Sequence, residues 1–469
     1  MELLDQIRAD LGAKYVITGT DAEAWTQDWM NVYHWQPLAV VRPASTQQVQ
    51  SIARSCHAAG IAMVPVGGNT GLTGATKAQD AVMISLDRMN AIREIKPNAQ
   101  VAIVESGAIL DSIHQAVDAH DLVFPLFFGA RGSAMIGGNL STNAGGSNVL
   151  RYGNTRDLCL GLEVVLADGR VMNLMSELHK DNTGLNLKHI LIGAEGTLGI
   201  ITTAVLRLYR KPLAYVTAMV GLQTLEDSIP LLNRLQNETG GGVEAFEYMP
   251  RRYIERHMDK IDGAMEPFDN AHDVNILVEV ATTRTSDLEQ DDTGTPKLQA
   301  ILETALMDMI EAGSAQDAVI AQNEAQRRVM WERRESAAEI TVGVAGSIDT
   351  DVAVPLDDVP TFLQQVSERV QAIDPDGQEF YIAHLGDGNL HYTFYPSDTS
   401  GVFKEPITEA IEDVVLALNG SFSAEHGIGL SKRNSMARRK DPVALEMMQA
   451  VKSAFDPKNL MNPGKVYPD

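Results

Sequence analysis

Two histidines sit on either side of a tight turn in Phe380-Tyr-Ile-Ala-His384-Leu-Gly-Asp387-Gly388-Asn-Leu-His391-Tyr-Thr-Phe394. Asp-Gly between two alternating apolar runs is a strong hairpin signal. A turn centred on Asp387-Gly388 predicts Leu385 opposite Leu390 and His384 opposite His391. Directly opposed residues lie about 4.5–5.5 Å apart at Cβ. Two imidazoles so placed can share one divalent ion, with zinc–nitrogen bonds of about 2.0–2.1 Å. By themselves they read equally well as a cross-strand pair of half-buried histidines. Ser423-Ala-Glu425-His426-Gly-Ile-Gly429 shifts the balance, because it adds a carboxylate and a further imidazole in a Gly-flanked segment. Two His and one Glu with an open coordination position can make a catalytic metal site.

Three glycine-rich stretches mark a second chemistry. They are Gly67-Gly68-Asn69-Thr70-Gly71-Leu72-Thr-Gly74, then Gly129-Ala-Arg-Gly132-Ser133 continuing to Gly137-Gly138-Asn139-Leu-Ser-Thr142-Asn143-Ala-Gly145-Gly146, and Gly193-Ala-Glu-Gly196-Thr-Leu-Gly199. One such stretch is an ordinary turn. Three, each carrying Ser, Thr or Asn, suit a backbone that approaches a large anionic ligand such as a pyrophosphate. None fits G-x-G-x-x-G or the P-loop pattern, so neither a Rossmann dinucleotide site nor a P-loop is supported.

The elements that position these residues follow from periodicity. Residues 38–42 read as a strand. Ser45 caps a helix with apolar positions Val49, Ile52, Ala53 and Cys56, Gly60 ends it, and 61–66 form the next strand. Further strands are expected at 81–86, 101–105 and 200–209, a helix at 111–120, and a hairpin around Asp168-Gly169. After Pro212 the texture becomes α+β with an antiparallel sheet: strands 215–222, 274–282 and 352–355 alternate with helices 224–239, 296–312, 324–339 and 359–372. Residues 284–294 read as an exposed loop, and 432–458 as a basic helical segment.

The chain has 469 residues, enough for two or three domains. Its net charge of −24 is spread along the sequence. That disfavours nucleic acid and anionic membrane, and it obliges any anion site to supply local positive charge. Two cysteines, Cys56 and Cys159, give no disulfide framework and fit the cytoplasm or a similarly reducing compartment. The acidic N-terminus lacks the apolar core of a signal peptide, and no run reaches the ~18 apolar residues of a membrane span.

Taken in order, Pro65-Val-Gly-Gly-Asn-Thr-Gly-Leu-Thr-Gly74, the 137–146 stretch, Leu162-Glu-Val-Val-Leu-Ala-Asp-Gly169, Lys180-Asp-Asn-Thr-Gly184 and Gly193-Ala-Glu-Gly-Thr-Leu-Gly-Ile200-Ile201 resemble the FAD-binding domain of the vanillyl-alcohol oxidase superfamily. Together with the His384–His391 stretch, Glu425-His-Gly-Ile-Gly429 and Asn462-Pro-Gly-Lys465, nearly the whole chain resembles the FAD-linked D-2-hydroxy acid dehydrogenases, a group that includes D-2-hydroxyglutarate and D-lactate dehydrogenases. The resemblance implies a two-subdomain FAD-binding domain over 1–211, an α+β substrate cap carrying the metal site over 212–430, and a C-terminal helical segment, 431–469, packing back on the FAD domain. It implies FAD held by the three glycine stretches with Ile200 and Asn462, zinc or another divalent metal on His384, His391 and Glu425, and His426 as base. The first glycine stretch contains no His or Cys, so the FAD is expected to be noncovalent. In Trp331-Glu-Arg-Arg334-Glu335, Arg334 would reach the substrate, although an exposed helix pair is the plainer reading of that residue.

One departure bears on substrate. Hydroxyglutarate-type members carry a Thr, a Lys and an Asn where this chain has Ala338, Asp349 and Thr393, and Thr350-Asp351-Val352 is closer to the D-lactate type. The resemblance implies electron-transfer flavoprotein, a cytochrome or a quinone as acceptor, and admits a homodimer. The glycolate oxidase flavin subunit is also similar, so membership of a larger complex, or a nonenzymatic flavin- or metal-binding role, stays open on sequence.

Overall fold

The computed structural model describes residues 2–341 and 344–468. Its chain forms two compact units. The first comprises Met1–Gly145, Gly153–Lys211 and Glu425–Asp469, and the second comprises Gly146–Tyr152 and Pro212–Ala424.

The first unit holds two main sheets. In the four-stranded one, Ala39–Val41 and Met63–Val66 both run parallel to Val82–Ser85, which lies between them. The helix joining the two strands that flank Val82–Ser85, Thr46–Ala59, starts where Ser45 accepts a hydrogen bond from the Gln48 N–H, and it stops at Gly60 with φ of 66°. Both ends follow from residue type: a hydroxyl caps the free N–H groups, and glycine takes the left-handed position without strain. Val49, Ile52, Ala53 and Cys56 bury against this sheet. The second sheet is antiparallel, in the order Ile92–Lys96, Val101–Glu105, Ile200–Arg207, Cys159–Val165, Val171–Leu174.

The second unit is built on a seven-stranded antiparallel sheet. Its order is Ala315–Ile320, Ala214–Leu222, Val274–Thr282, Val243–Pro250, Gln378–His384, Asn389–Tyr395, Ile348–Ala353. One face packs against helices Ser228–Thr239, Lys297–Glu311, Val359–Ile373 and Lys404–Ala417 in a large apolar core. The other face carries a smaller core with Arg251–Lys260, Glu324–Glu335 and Ala337–Thr341. This smaller side bears the candidate site.

Several elements differ from expectation. Residues 136–142 form a helix, Ile136–Thr142, where a glycine-rich loop was expected, and Asn143 closes it at φ of 52°. The expected helix 324–339 breaks at Ser336, and 432–458 breaks into Arg433–Arg439 and Pro442–Phe455. The second break follows from Pro442, which disfavours helical geometry at Asp441; the Asp441 carboxylate then caps the new helix at the Ala444 N–H. The strand expected at 352–355 spans Ile348–Ala353. Strands Val243–Pro250 and Ala315–Ile320 and helices Arg251–Lys260 and Lys404–Ala417 were not anticipated.

The hairpin register is also corrected. His384 pairs with Asn389, and His391 pairs with Ile382. The connection is not a two-residue turn: Leu385–Asp387 make a short 3-10 turn, and Gly388 takes φ of 78°. A Cβ at Gly388 would lie 2.2 Å from the Val354 carbonyl oxygen, so only glycine fits there. His391 thus moves two positions along its partner strand. Side chains alternate with a period of two, so an even slip leaves both histidines on the same face.

Candidate active site

Strand pairing puts a row of polar side chains on one sheet face. Glu247 lies opposite His384, Ile382 opposite His391, Asp351 opposite His391 from the other side, and Thr393 between Asp349 and Phe380. The two imidazoles are diagonal neighbours, with ring centroids 5.3 Å apart and planes at 80°.

Glu247 organises this face. It is 1% exposed. Its Oε2 accepts from Arg334 Nε at 2.7 Å and lies 2.9 Å from His384 Nδ1, while Oε1 lies 3.0 Å from the same ring nitrogen. Burial pushes the Glu247 carboxyl up, but His384 and Arg334 together outweigh it and hold the group below its ordinary range. Arg334 Nη2 also comes within 3.3 Å of His384 Nδ1. Arg334 is therefore not an exposed helix residue; it is 7% exposed and aimed at the sheet.

A second buried carboxylate steadies the same helix. Glu279, on Val274–Thr282, accepts from Arg327 Nε at 2.7 Å, Arg327 Nη2 at 2.8 Å and Trp331 Nε1 at 2.8 Å. Arg327 and Arg334 are two helical turns apart, about 11 Å, on one helix face. Two sheet carboxylates thus hold the helix at two points. At its C-terminal end Tyr253 Oη donates to the Arg333 carbonyl at 2.8 Å and the Arg334 carbonyl at 3.2 Å, which satisfies acceptors the helix leaves open.

Asp351 is 1% exposed, accepts from Asn389 Nδ2 at 2.9 Å and lies 3.9 Å from His391 Nδ1. Beside it the chain leaving Gly420 is pinned. Ser421 and Ala353 exchange backbone hydrogen bonds of 2.7 and 2.9 Å, and the Ala424 N–H donates to the Asp351 carbonyl at 3.2 Å. Glu425 follows by one peptide bond, at the start of the first unit's last segment. The second unit therefore assembles His384, His391 and Arg334, whereas Glu425 and His426 belong to the first.

The expected cofactor residues other than Gly146 lie in the first unit. Among the described residues, the backbone N–H groups of Gly67, Gly68, Asn69, Thr70, Gly71 and Leu72 meet no protein acceptor. Gly71, Gly132 and Gly138 face open space at the Cβ position. The Oδ1 atoms of Asn139 and Asn462 are buried without a partner. These are features of a cradle for a polar ligand.

Other glycines here serve packing. A Cβ at Gly68 would lie 2.1 Å from the Ser133 carbonyl, at Gly137 2.7 Å from Ser106 Cβ, at Gly196 2.6 Å from Pro65 Cγ, and at Gly199 2.7 Å from Val164 Cγ1. Ile200 sits in the apolar core. Thr142 Oγ1 donates back to the Gly138 carbonyl, and Asn143 Oδ1 accepts from the Arg156 N–H. Gly145 ends the first unit's opening segment and Gly146 begins the second unit's.

Sequence reasoning missed Glu247 and Glu279. The available signal was acidic residues inside otherwise apolar runs, Val243-Glu-Ala-Phe-Glu247-Tyr-Met and Val274-Asn-Ile-Leu-Val-Glu279-Val. A carboxylate buried in a strand requires a partner, and each of these has an arginine.

Comparisons with known proteins identify the family. Residues 37–175 match the FAD binding domain family, and residues 211–466 match the family of FAD linked oxidases, C-terminal domain. A D-2-hydroxyglutarate dehydrogenase of Stutzerimonas stutzeri is 33% identical over 99% of this chain and 98% of its own length. The mitochondrial D-2-hydroxyglutarate dehydrogenase of Arabidopsis thaliana is 32% identical over 98% of this chain and 80% of its own length. A D-2-hydroxyglutarate–pyruvate transhydrogenase of Saccharomyces cerevisiae is 31% identical over 94% of this chain and 89% of its own length. Among solved structures, p-cresol methylhydroxylase with bound substrate superposes with a TM-score of 0.74, at 17% identity, over 100% of this chain and 96% of that one, a likeness of fold. Among the described residues, no helix is long and apolar enough to cross a membrane. With both family models matched and relatives aligned along nearly its whole length, the chain belongs to the FAD-linked oxidases, an α+β flavoenzyme of the D-2-hydroxy acid dehydrogenase group.

Proposed function

We propose that this enzyme oxidises a D-2-hydroxy acid to the 2-oxo acid, using noncovalent FAD and one divalent metal ion, zinc by preference. The observation that carries the reading is the Glu247-held pair of Arg334 and His384 beside His391 on one sheet face. In the proposed division of labour, the first unit holds FAD and the second forms the substrate cap, so that residues 425–430, expected in the cap, fall with the FAD-binding unit alongside 431–469. The glycine stretches at 67–71, 132–146 and 196–199 and Asn462 would hold FAD, its phosphates meeting the unpaired N–H groups of the first stretch.

His384, His391 and Glu425 would hold the metal. The fit rests on donor chemistry. Nitrogen and carboxylate ligands suit zinc, and a histidine whose Nδ1 hydrogen-bonds a buried carboxylate has its Nε2 lone pair available to a metal. Bound there, FAD would supply a hydride acceptor and the metal ion a Lewis acid that favours ionisation of the substrate hydroxyl. The residues do the rest. Arg334 binds the substrate carboxylate through its guanidinium edge. His426 removes the hydroxyl proton, work for which an imidazole is suited near neutral pH. Ile382, opposite His391, and Phe380, opposite Thr393, provide an apolar floor that limits water. Electrons would leave to electron-transfer flavoprotein, a cytochrome or a quinone. The two buried, unbridged cysteines fit a reducing compartment such as the cytoplasm.

The pocket's selectivity depends on Asp349. It lies on the same face as His391, accepts from Thr393 Oγ1 at 2.7 Å and Ser347 Oγ at 2.9 Å, and has no arginine or lysine paired with it among the described residues. A second substrate carboxylate gains nothing from it. One like-charge contact at about 4 Å costs on the order of 1 to 4 kcal/mol, depending on local dielectric. The proposed substrate range therefore includes D-2-hydroxy acids with a neutral side chain, such as D-lactate, alongside D-2-hydroxyglutarate.

Three outcomes are expected. Two glycine variants separate fold from cofactor binding. Gly68→Ala should destabilise the protein, because its Cβ meets backbone. Gly138→Ala meets no protein atom and should leave thermal stability unchanged or slightly raised, by about 0.5–1 kcal/mol, yet lower FAD occupancy measured by flavin absorbance per protein. Equal effects of both changes on stability would contradict the cradle.

Anaerobic addition of a D-2-hydroxy acid should bleach the flavin, its L-enantiomer should not, and removal of metal by a chelator should slow bleaching with FAD still bound. Undiminished bleaching by metal-free protein would remove the metal from the mechanism.

In a comparison of kcat/KM, D-lactate should stand within a hundredfold of D-2-hydroxyglutarate, and Asp349→Lys should shift preference toward hydroxyglutarate by tenfold or more. A preference above a hundredfold for hydroxyglutarate in the unaltered enzyme, with no gain in the Lys variant, would show the pocket to be selected by other residues.

A further inference from the structure

Glu195 is a carboxylate in a place that does not invite one. It sits in the turn Gly193-Ala-Glu-Gly-Thr, which leads into the strand Ile200–Arg207 through a run buried from 194 to 203, and it is itself 5% exposed. Its backbone adopts φ of 50°, a left-handed conformation that glycine or asparagine takes more readily. Gly193 and Gly196, at 84° and 72°, flank it in the same region. The turn alone would be served better by another residue, so the side chain must explain the glutamate.

Each carboxylate oxygen is used separately. Oε1 accepts from the Ile428 N–H at 2.7 Å, and Oε2 accepts from the Gly429 N–H at 2.8 Å. These two donors belong to Glu425-His426-Gly-Ile-Gly429, and the approach is close enough to dictate sequence. A Cβ at Gly427, where φ is 77°, would lie 2.7 Å from Glu195 Oε1. A Cβ at Gly429, where φ is 48°, would lie 2.4 Å from the Thr73 carbonyl. That carbonyl accepts from the Leu430 and Ser431 N–H groups at 2.8 and 3.2 Å, and Thr73 Oγ1 donates to the His426 carbonyl at 3.4 Å. The backbone carrying His426 is thus bracketed, by Thr73 before and after and by Glu195 between. The other side of Glu195 is fixed as well: its own carbonyl accepts from Asn462 Nδ2 at 2.7 Å, and the Asn462 N–H donates to the Met63 carbonyl at 2.8 Å, on the strand that leads into the first glycine stretch.

We infer that Glu195 is the positioning residue for His426, a carboxylate strut that sets the imidazole's backbone against the same turn and strand that begin the flavin cradle. This rests on the reading of His426 as base. A carboxylate that accepts two consecutive backbone N–H groups fixes both peptide planes, and an amide replacing it offers one acceptor oxygen and one donor that would face a donor.

The test is rapid-mixing flavin reduction by a D-2-hydroxy acid, expressed per bound flavin so that loss of folded protein does not count. Glu195→Ala should lower the limiting reduction rate on the order of 10²-fold, with the substrate concentration for half-maximal rate and the flavin spectrum within about twofold of normal. Glu195→Gln, which keeps one acceptor, should fall between, and it serves as the variant of record if the alanine protein does not fold. Added to His426→Ala, either change should cost nothing further, because a residue acting through His426 has nothing left to position. An unchanged rate in the Glu195 variants, or an equal further loss in the His426→Ala background, overturns the inference. A normal rate in His426→Ala alone would instead remove the base reading. In that case the ¹⁵N resonances of the His426 imidazole in metal-free protein decide the matter: a shift on Glu195→Gln upholds the link, and none refutes it.

Discussion

The Glu247 carboxylate sets the arrangement of the second unit's functional face. A carboxylate taken out of water is tolerated only when charge and hydrogen bonds replace the solvent. Glu247 finds both in Arg334 and His384, and each of those in turn depends on it. The dependence fixes the sheet. A one-residue slip of Val243–Pro250 would turn Glu247 onto the opposite face, among the Val and Ile residues of the larger core, and would send Phe246 and Tyr248 out of that core. The register of this strand against Gln378–His384, the depth at which helix Glu324–Glu335 sits, and the orientation of one imidazole are therefore a single constraint.

From that constraint the chemistry of the face follows. A helix carrying two arginines two turns apart is held by two sheet carboxylates, so its charge is matched before any substrate arrives. Apolar side chains around the row, Phe380, Ile382, Met249 and Leu277, keep the pairings in a medium where they count for more than they would in water. The first unit solves a different problem with different means. There, glycines let backbone approach backbone, and N–H groups of the first glycine stretch and two buried asparagine oxygens are left without a protein partner among the described residues.

Much of this was legible in sequence, and the gaps have physical causes. Ser45 and Gly60 announced the ends of their helix because capping is local. The histidine hairpin was legible as a hairpin, and the shared face survived, because face depends only on parity. Its register was not legible: Asp387-Gly388 suggested a two-residue turn, whereas Leu385–Asp387 wind into a 3-10 turn before Gly388. Helix Ile136–Thr142 was hidden by two glycines of poor helix propensity; tertiary packing of Gly137 on Ser106 overrides that preference. Strand Val243–Pro250 is buried at every position, so it lacks the alternation that marks a half-exposed strand. Glu247 was therefore missed, and Arg334, identified by resemblance, could be placed in the sequence but not given its partner. The ligands of the proposed site were read from the histidine hairpin and the Glu425-His426 segment, and the base from motif resemblance; their carboxylate supports, Glu247 and Glu195, came only from the fold.

The most direct measurement of the central claim is a double-mutant cycle on Glu247→Gln and Arg334→Met, read from the unfolding of the purified enzyme. Removing one partner of a buried pair leaves the other uncompensated and typically costs about 3–5 kcal/mol. If Glu247 and Arg334 depend on one another as described, each single change should be severe, and the double variant should recover about 2 kcal/mol or more relative to their sum. Effects that add to within about 0.5 kcal/mol would mean that the two residues are energetically independent, and the account of this face would be wrong.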